Sequence, residues 1–250
     1  MGSPGRKAVA AVLPALSARE GGFDFVIANC ENAAAGKGIT RGILEELFSL
    51  GIDGMTSGNH IWDRSEGIPL LDSEPRIVRP ANYPEGCPGQ GWTVLSRGGR
   101  RLAIANLQGR VFMPPVDCPF RKADAMLPLL GDVPVVVDFH AEATSEKKAL
   151  GHYLDGRVSA FIGTHTHVQT ADEEILPGGT AYITDAGMTG GHRSSIGMKL
   201  ECVLPKFLTG MPAKFEVSGE GLAFDGVMVT IDDETGRSMG IQRISERVSH

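Results

Sequence analysis

Val158-Ser159-Ala160-Phe161-Ile162-Gly163-Thr164-His165-Thr166-His167 sets a short apolar run directly against a polar tail with two histidines. The run over residues 158–163 reads as a buried strand. The same order recurs to either side of it. Apolar runs over 23–29, 52–57, 101–106 and 133–139 read as strands, and they end at or beside Asn29, Ser57, Asn106 and His140. A further strand is expected over 181–184. Between the first runs, Ser3-Pro4 signals a helix start, and Gly21-Gly22 ends that helix just after Arg19. Residues 36–50 read as a second helix, with Ile43, Leu44, Leu47 and Phe48 on one face. From about Lys214 the pattern turns to antiparallel β-structure around Asp232-Asp233-Glu234-Thr235-Gly236. This order predicts an α/β sandwich of layered sheets. Ligands of open α/β sheets bind beyond the carboxyl ends of the strands, so these polar ends can converge on one site.

Composition narrows the function. No repeat or linker divides the 250 residues, so a single domain over 1–250 is expected. A net charge of −6 argues against DNA or other nucleic acid as a partner, since that needs a basic surface. It leaves room for a small anionic substrate beside a metal site. Cys30, Cys87, Cys118 and Cys202 are scattered and form no C-x-x-C pair, which favours reduced thiols over a disulfide framework. No run approaches the roughly 20 apolar residues of a membrane span. The start carries no apolar signal segment, so a cytoplasmic location is the default.

Four constellations can carry chemistry, and each alone has a plainer explanation. His165 and His167 can reach one metal region if the backbone turns, or share one face of a regular strand; the plainer alternative is a hydrogen-bonded pair at a strand end. His140 follows an apolar strand, and Asp138 two residues earlier is a candidate to orient it; alone it reads as a loop histidine. Thr144-Ser145-Glu146 looks like a helix N-terminus and nothing more. Gly58-Asn59-His60 offers a neutral oxygen ligand and a proton that titrates near neutrality. Glu31, in Asn29-Cys30-Glu31-Asn32, is a carboxylate that two metals could share; alone it reads as an exposed loop residue. Together they differ, because four of the seven histidines follow predicted strands and the set mixes carboxylate, carboxamide and imidazole. That mixture suits manganese or iron and does not exclude zinc.

Gly58-Asn59-His60 and Gly163-Thr164-His165-Thr166-His167 resemble two hallmark motifs of the calcineurin-like metallophosphoesterases. Longer strings make the resemblance more specific: Asn29-Cys30-Glu31-Asn32-Ala33-Ala34, Val78-Arg79-Pro80-Ala81-Asn82-Tyr83-Pro84, Asn106-Leu107-Gln108-Gly109-Arg110, residues 138–147 and Thr184-Asp185-Ala186-Gly187-Met188-Thr189-Gly190. Over nearly the whole chain the sequence resembles the bacterial 2′,3′-cyclic-nucleotide 2′-phosphodiesterase family. That resemblance implies a layered α/β/β/α metallophosphoesterase sandwich. It implies two divalent metal ions, of an iron type that tolerates manganese. Glu31 would bridge them, Asn32 and His167 would serve the first, and Asn59, His140 and His165 the second. A metal-bound hydroxide would attack phosphorus, and His60 would protonate the leaving 2′-oxygen.

The sequence departs from the family pattern at its beginning. That pattern opens with an apolar strand and Gly-Asp-x-x-Gly-x-Pro-Gly-Arg, whose Asp ligates the first metal. Here the chain reads Met1-Gly2-Ser3-Pro4-Gly5-Arg6, so the first strand and its Asp are missing. Two expectations follow: a natural protein about ten residues longer, or a short form with a weakened first metal. Rival functions are a metallophosphoesterase acting on another phosphoester and a non-catalytic regulatory scaffold. A homo-oligomer is allowed but not fixed by the sequence.

Overall fold

The computed structural model describes residues 1–248; the terminal His250 lies outside them. The chain runs α1 (Gly2–Arg19), β1 (Ile27–Asn29), α2 (Arg41–Ser49), β2 (Gly54–Thr56), α3 (Leu70–Ser73), β3 (Trp92–Arg97), β4 (Arg100–Gln108), α4 (Pro119–Met126), β5 (Val135–His140) and α5 (Thr144–Tyr153). It continues through β6 (Ala160–Thr164), β7 (Glu174–Ile175), β8 (Ala181–Ile183), β9 (Gly190–Gly191), α6 (Leu200–Thr209), β10 (Leu222–Ile231) and β11 (Ser238–Arg247). No helix among the described residues is long and apolar enough to cross a membrane.

The main sheet has the order β3-β4-β5-β6-β8-β7. Its central strands β4, β5, β6 and β8 are parallel, and β3 and β7 close its edges antiparallel. Alternation along these strands feeds two cores, because successive side chains leave opposite faces. Ala103, Ala105, Leu107, Val137 and Phe139 pack with Ala123 and Met126 of α4 and Leu150 of α5. Leu102, Ile104 and Val136 face the other way, against Ile27 of β1 and Ile231 of β10. A third core joins β2 to the helices through Leu13, Leu44, Leu47 and Met55. The layers are therefore helices α4 and α5, the six-stranded sheet, the β1-β2 and β9-β10-β11 sheets, then helices α1 and α2. This is the α/β/β/α sandwich expected, and β1 pairs with β2 alone among the described strands.

Several local readings need correction. The first strand covers only 27–29, because the Val26 N–H donates to the Asp53 side chain at 2.8 Å instead of joining a ladder. The second helix starts at Arg41 and not at 36: Gly36 and Gly38 take φ of +94° and +67°, which breaks any helix before Thr40. Ser3 lies inside the first turn of α1 and makes no capping bond. Sequence reading also missed β3, α4 and α6. The helix α6 runs through Pro205 on an exposed face, where the carbonyl left without a partner can turn to solvent.

Phe139 is fully buried on the helix-facing side of the main sheet, 5.6 Å from the Phe161 ring centre. Phe139→Ala should cost about 3–5 kcal/mol in urea unfolding. A cost under about 1 kcal/mol would show that this core collapses around the gap.

Candidate metal centre and active site

The register of the parallel strands brings their polar ends to one level: Gln108 of β4 is paired with His140 of β5, and His140 with Thr164 of β6. In the second sheet Asn29 is paired with Thr56 at the corresponding end. The buried Asp138 carboxylate joins these two ends. It accepts hydrogen bonds from Asn29 Nδ2 at 2.9 Å, from Thr56 Oγ1, and from Thr164 Oγ1 at 2.6 Å. Burial pushes the Asp138 carboxyl above its ordinary range, against these donors and the charge of His140.

Asp138 was a candidate to orient His140; it acts one step removed. Thr164 Oγ1 spends its proton on Asp138 and accepts from His140 Nδ1 at 3.0 Å. That places a proton on Nδ1 and turns Nε2 toward the site. The pattern repeats at the other histidines. His165 Nε2 lies 3.1 Å from the Glu142 carboxylate, His167 Nδ1 donates to Ile196 O at 2.9 Å, and His60 Nδ1 donates to Asp63 at 3.0 Å. Each imidazole has one nitrogen held by a protein acceptor and the other left for chemistry.

His165 and His167 do not lie on a strand face. The strand β6 ends at Thr164, and the two residues take φ of +99° and +64°, a conformation that non-glycine residues rarely adopt. Asp185 pins this turn. Its Oδ2 accepts from Thr166 N at 3.1 Å and Thr166 Oγ1 at 2.8 Å, and it pairs with Lys147 Nζ at 2.8 Å. Both charges of that pair are fully buried. Sequence reading assigned neither residue a role; a lysine on the face of α5 that also carries Leu150 was the available signal. Gly58 and Gly163 are required by close approach. A Cβ on Gly58 would run into Glu31 Oε2 and the His140 ring, and one on Gly163 into Thr184 O.

Six of the seven residues singled out in sequence meet here by direct contact or along a cavity of about 260 Å³, and the seventh, Asn59, joins through His140. Glu31, Asn32, His60, His165 and His167 line the cavity with Glu142, Thr166 and Ile196. Around His140 Nε2 stand Glu31 Oε2 at 3.1 Å, Asn59 Oδ1 at 3.0 Å and His165 Nδ1 at 3.0 Å. One Nε2 proton cannot serve three acceptors, whereas a cation among them serves every lone pair. Ligand atoms of Glu31, His140 and His165 all lie within 4.8 Å of one another. The donor set of oxygen and imidazole nitrogen therefore fits a divalent metal. Asn32 Nδ2 donates to Gly36 O at 2.9 Å, which leaves its Oδ1 available to a cation.

The electrostatics of the protein alone match. Burial would raise Glu31, but the charge of His140 and the N–H groups of His140 and His60 outweigh it and hold its pKa at about 2. Burial also works against a charged His140, yet Glu31 and Asp138 raise its pKa. Burial, then the charge of His140, lowers His165 to about 4, and burial lowers His167 too. The remaining histidines stand apart: His192 Nε2 bonds Met188 O at 2.8 Å, and His152 stacks on Tyr182. Arg79 is spent on the carbonyls of Pro80, Cys87 and Pro88.

Lys147→Met should cost about 3–5 kcal/mol in chemical denaturation, because Asp185 stays buried without its partner. The double variant with Asp185→Leu should recover part of that loss in global stability. An additive double variant would mean that the two charges do not act as a pair.

The YmdB-like protein family matches residues 1–244. A 2′,3′-cyclic-nucleotide 2′-phosphodiesterase of Bacillus subtilis (strain 168) is 50% identical over 246 residues, which span 98% of this chain and 93% of that protein. The crystal structure of a novel phosphatase from Mycoplasma pneumoniae is 34% identical with a TM-score of 0.92, covering 98% of this chain and 90% of the other. The NAD nucleotidase of Haemophilus influenzae, at 15% identity, shares the fold alone, with a TM-score of 0.55 over 97% of this chain and 49% of that one. On its layered metallophosphoesterase fold, the chain belongs to the YmdB-like protein family.

Proposed function

We propose that this protein is a metal-dependent phosphodiesterase that hydrolyses the 2′ ester bond of 2′,3′-cyclic nucleotides and releases 3′-nucleotides, with residues 1–250 acting as one domain. The observation that carries this reading is the set of four histidines, each with one nitrogen held by the protein, gathered with the Glu31 carboxylate at one cavity. The activity of the Bacillus subtilis relative supports the substrate.

Glu31 would bridge two divalent ions, with Asn32 and His167 on one and Asn59, His140 and His165 on the other. The oxygen and nitrogen donors suit iron, with manganese as a substitute. Bound there, such ions supply charge neutralisation for the phosphodiester and lower the pKa of water. His60 is the proton donor. Asp63 accepts from Nδ1, so the acid is the imidazolium form, whose Nε2–H would pass its proton to the 2′-oxygen as the P–O2′ bond breaks and leave the neutral Nδ1–H ring on Asp63. The His60 backbone N–H also donates to Glu31 Oε2 at 3.2 Å, which ties the acid to the bridging carboxylate.

A second reading, a phosphomonoesterase, is favoured by the phosphatase of Mycoplasma pneumoniae. The two separate on a panel of 2′,3′-cyclic AMP and 4-nitrophenyl phosphate, with metal content measured on the same protein. Turnover should vanish after chelation, return with manganese or ferrous iron, and yield 3′-AMP from the cyclic substrate. Formation of 2′-AMP, or hydrolysis of the monoester alone, would overturn the assignment.

His60→Ala should lower kcat by about 10²-fold or more while metal content holds. An unchanged kcat would remove His60 from the acid role.

A further inference from the structure

Five non-glycine residues among those described have a positive φ. His165, His167 and Ile196 line the cavity. Phe112 is the bulkiest of the five and takes φ of +61° while 90% exposed. An exposed loop gains no packing from such a conformation, and the backbone around it is held firmly. Arg110 N donates to Glu146 Oε2 at 3.0 Å and Val111 N to the same carboxylate at 3.2 Å, and that glutamate is buried. Just before them, Gly109 N donates to His140 O at 3.0 Å. After the tip, Gln108 Nε2 donates to Pro114 O at 3.4 Å, and the buried Asn82 donates to both Gln108 O and Asp117 O. The loop is thus anchored on both sides of a ring that faces solvent.

Its location gives that ring a use. Gly109 adjoins His140, and three residues of chain extend at most about 10 Å. Phe112 thus follows the end of β4 that lies in register with His140 and Thr164, on the edge of the main sheet where the site residues gather. We propose that Phe112 is the platform on which the base of the nucleotide substrate stacks, an assignment that rests on the cyclic-nucleotide reading above. Stacking uses the π-face that every base has, so this contact selects nucleotides over other phosphoesters without choosing among bases. Glu146 is the positioning residue behind it, since its carboxylate fixes the strained turn.

Steady-state kinetics on 2′,3′-cyclic AMP, 2′,3′-cyclic CMP and base-free ribose 2′,3′-cyclic phosphate test this. Phe112→Ala should raise KM for both nucleotides about tenfold with kcat largely kept. It should leave the base-free substrate unaffected, and Phe112→Trp should restore the nucleotide KM. An unchanged nucleotide KM, or an equal loss on the base-free substrate, overturns the stacking role while the phosphodiesterase reading stands. Failure of the wild-type protein to hydrolyse any of the three overturns both.

Discussion

The Asp138 carboxylate sits where the two sheets meet, and the site depends on it. A buried anion is costly unless it is fully hydrogen-bonded. Asn29, Thr56 and Thr164 meet that need from three other strands and both sheets. The same bonds decide two things at once. They bring the end of β1-β2 against the ends of β5 and β6, and they orient His140 through the hydroxyl of Thr164. Sheet packing by Ile27, Ile104, Val136 and Ile231 holds the layers together but carries no directional information. The direction comes from the polar network at the edge of that apolar seam.

Beyond this network the protein concentrates unfavourable local terms. Glu31, Asn59 and His165 all turn lone pairs toward His140 Nε2. A single proton on His140 relieves one of these contacts, and Glu31 and Asp138 favour that proton by raising the pKa of His140. His165 and His167 add backbone strain, and Asp185 with Lys147 holds them to it. Strain of this kind persists only when the surroundings over-determine the geometry. Here they do, through a buried ion pair on one side and strand register on the other.

Much of this was legible in the sequence, for identifiable reasons. Strands buried on both faces read as apolar runs, so β5 and β6 stand out, and their polar ends mark the level of the site. The layered fold follows the sequence expectation, and the structure brings Glu31, Asn32, Asn59, His60, His140, His165 and His167 into one region. Backbone conformation was less legible. Phe23 looks like a strand start by composition, but Asp53 captures the Val26 N–H and shortens β1. The hairpin β3-β4 was missed, although Gly98-Gly99 between alternating runs is a hairpin signal. Long-range partners were not legible at all. Lys147 meets Asp185 across 38 residues, and Asp138 meets Thr56 across 82, and no local pattern encodes either.

The histidine pair at 165 and 167 shows why such contacts matter more than spacing. On a regular strand, residues two apart share a face, and both imidazoles would lie on one side of the sheet. The left-handed turn instead sends them to different neighbours: His165 to Glu142 and the His140 group, His167 to Ile196 O. Spacing alone permits either arrangement. The choice is made by Asp185, which holds Thr166 between the two histidines by its backbone and its hydroxyl. One buried carboxylate thus separates what the motif places side by side.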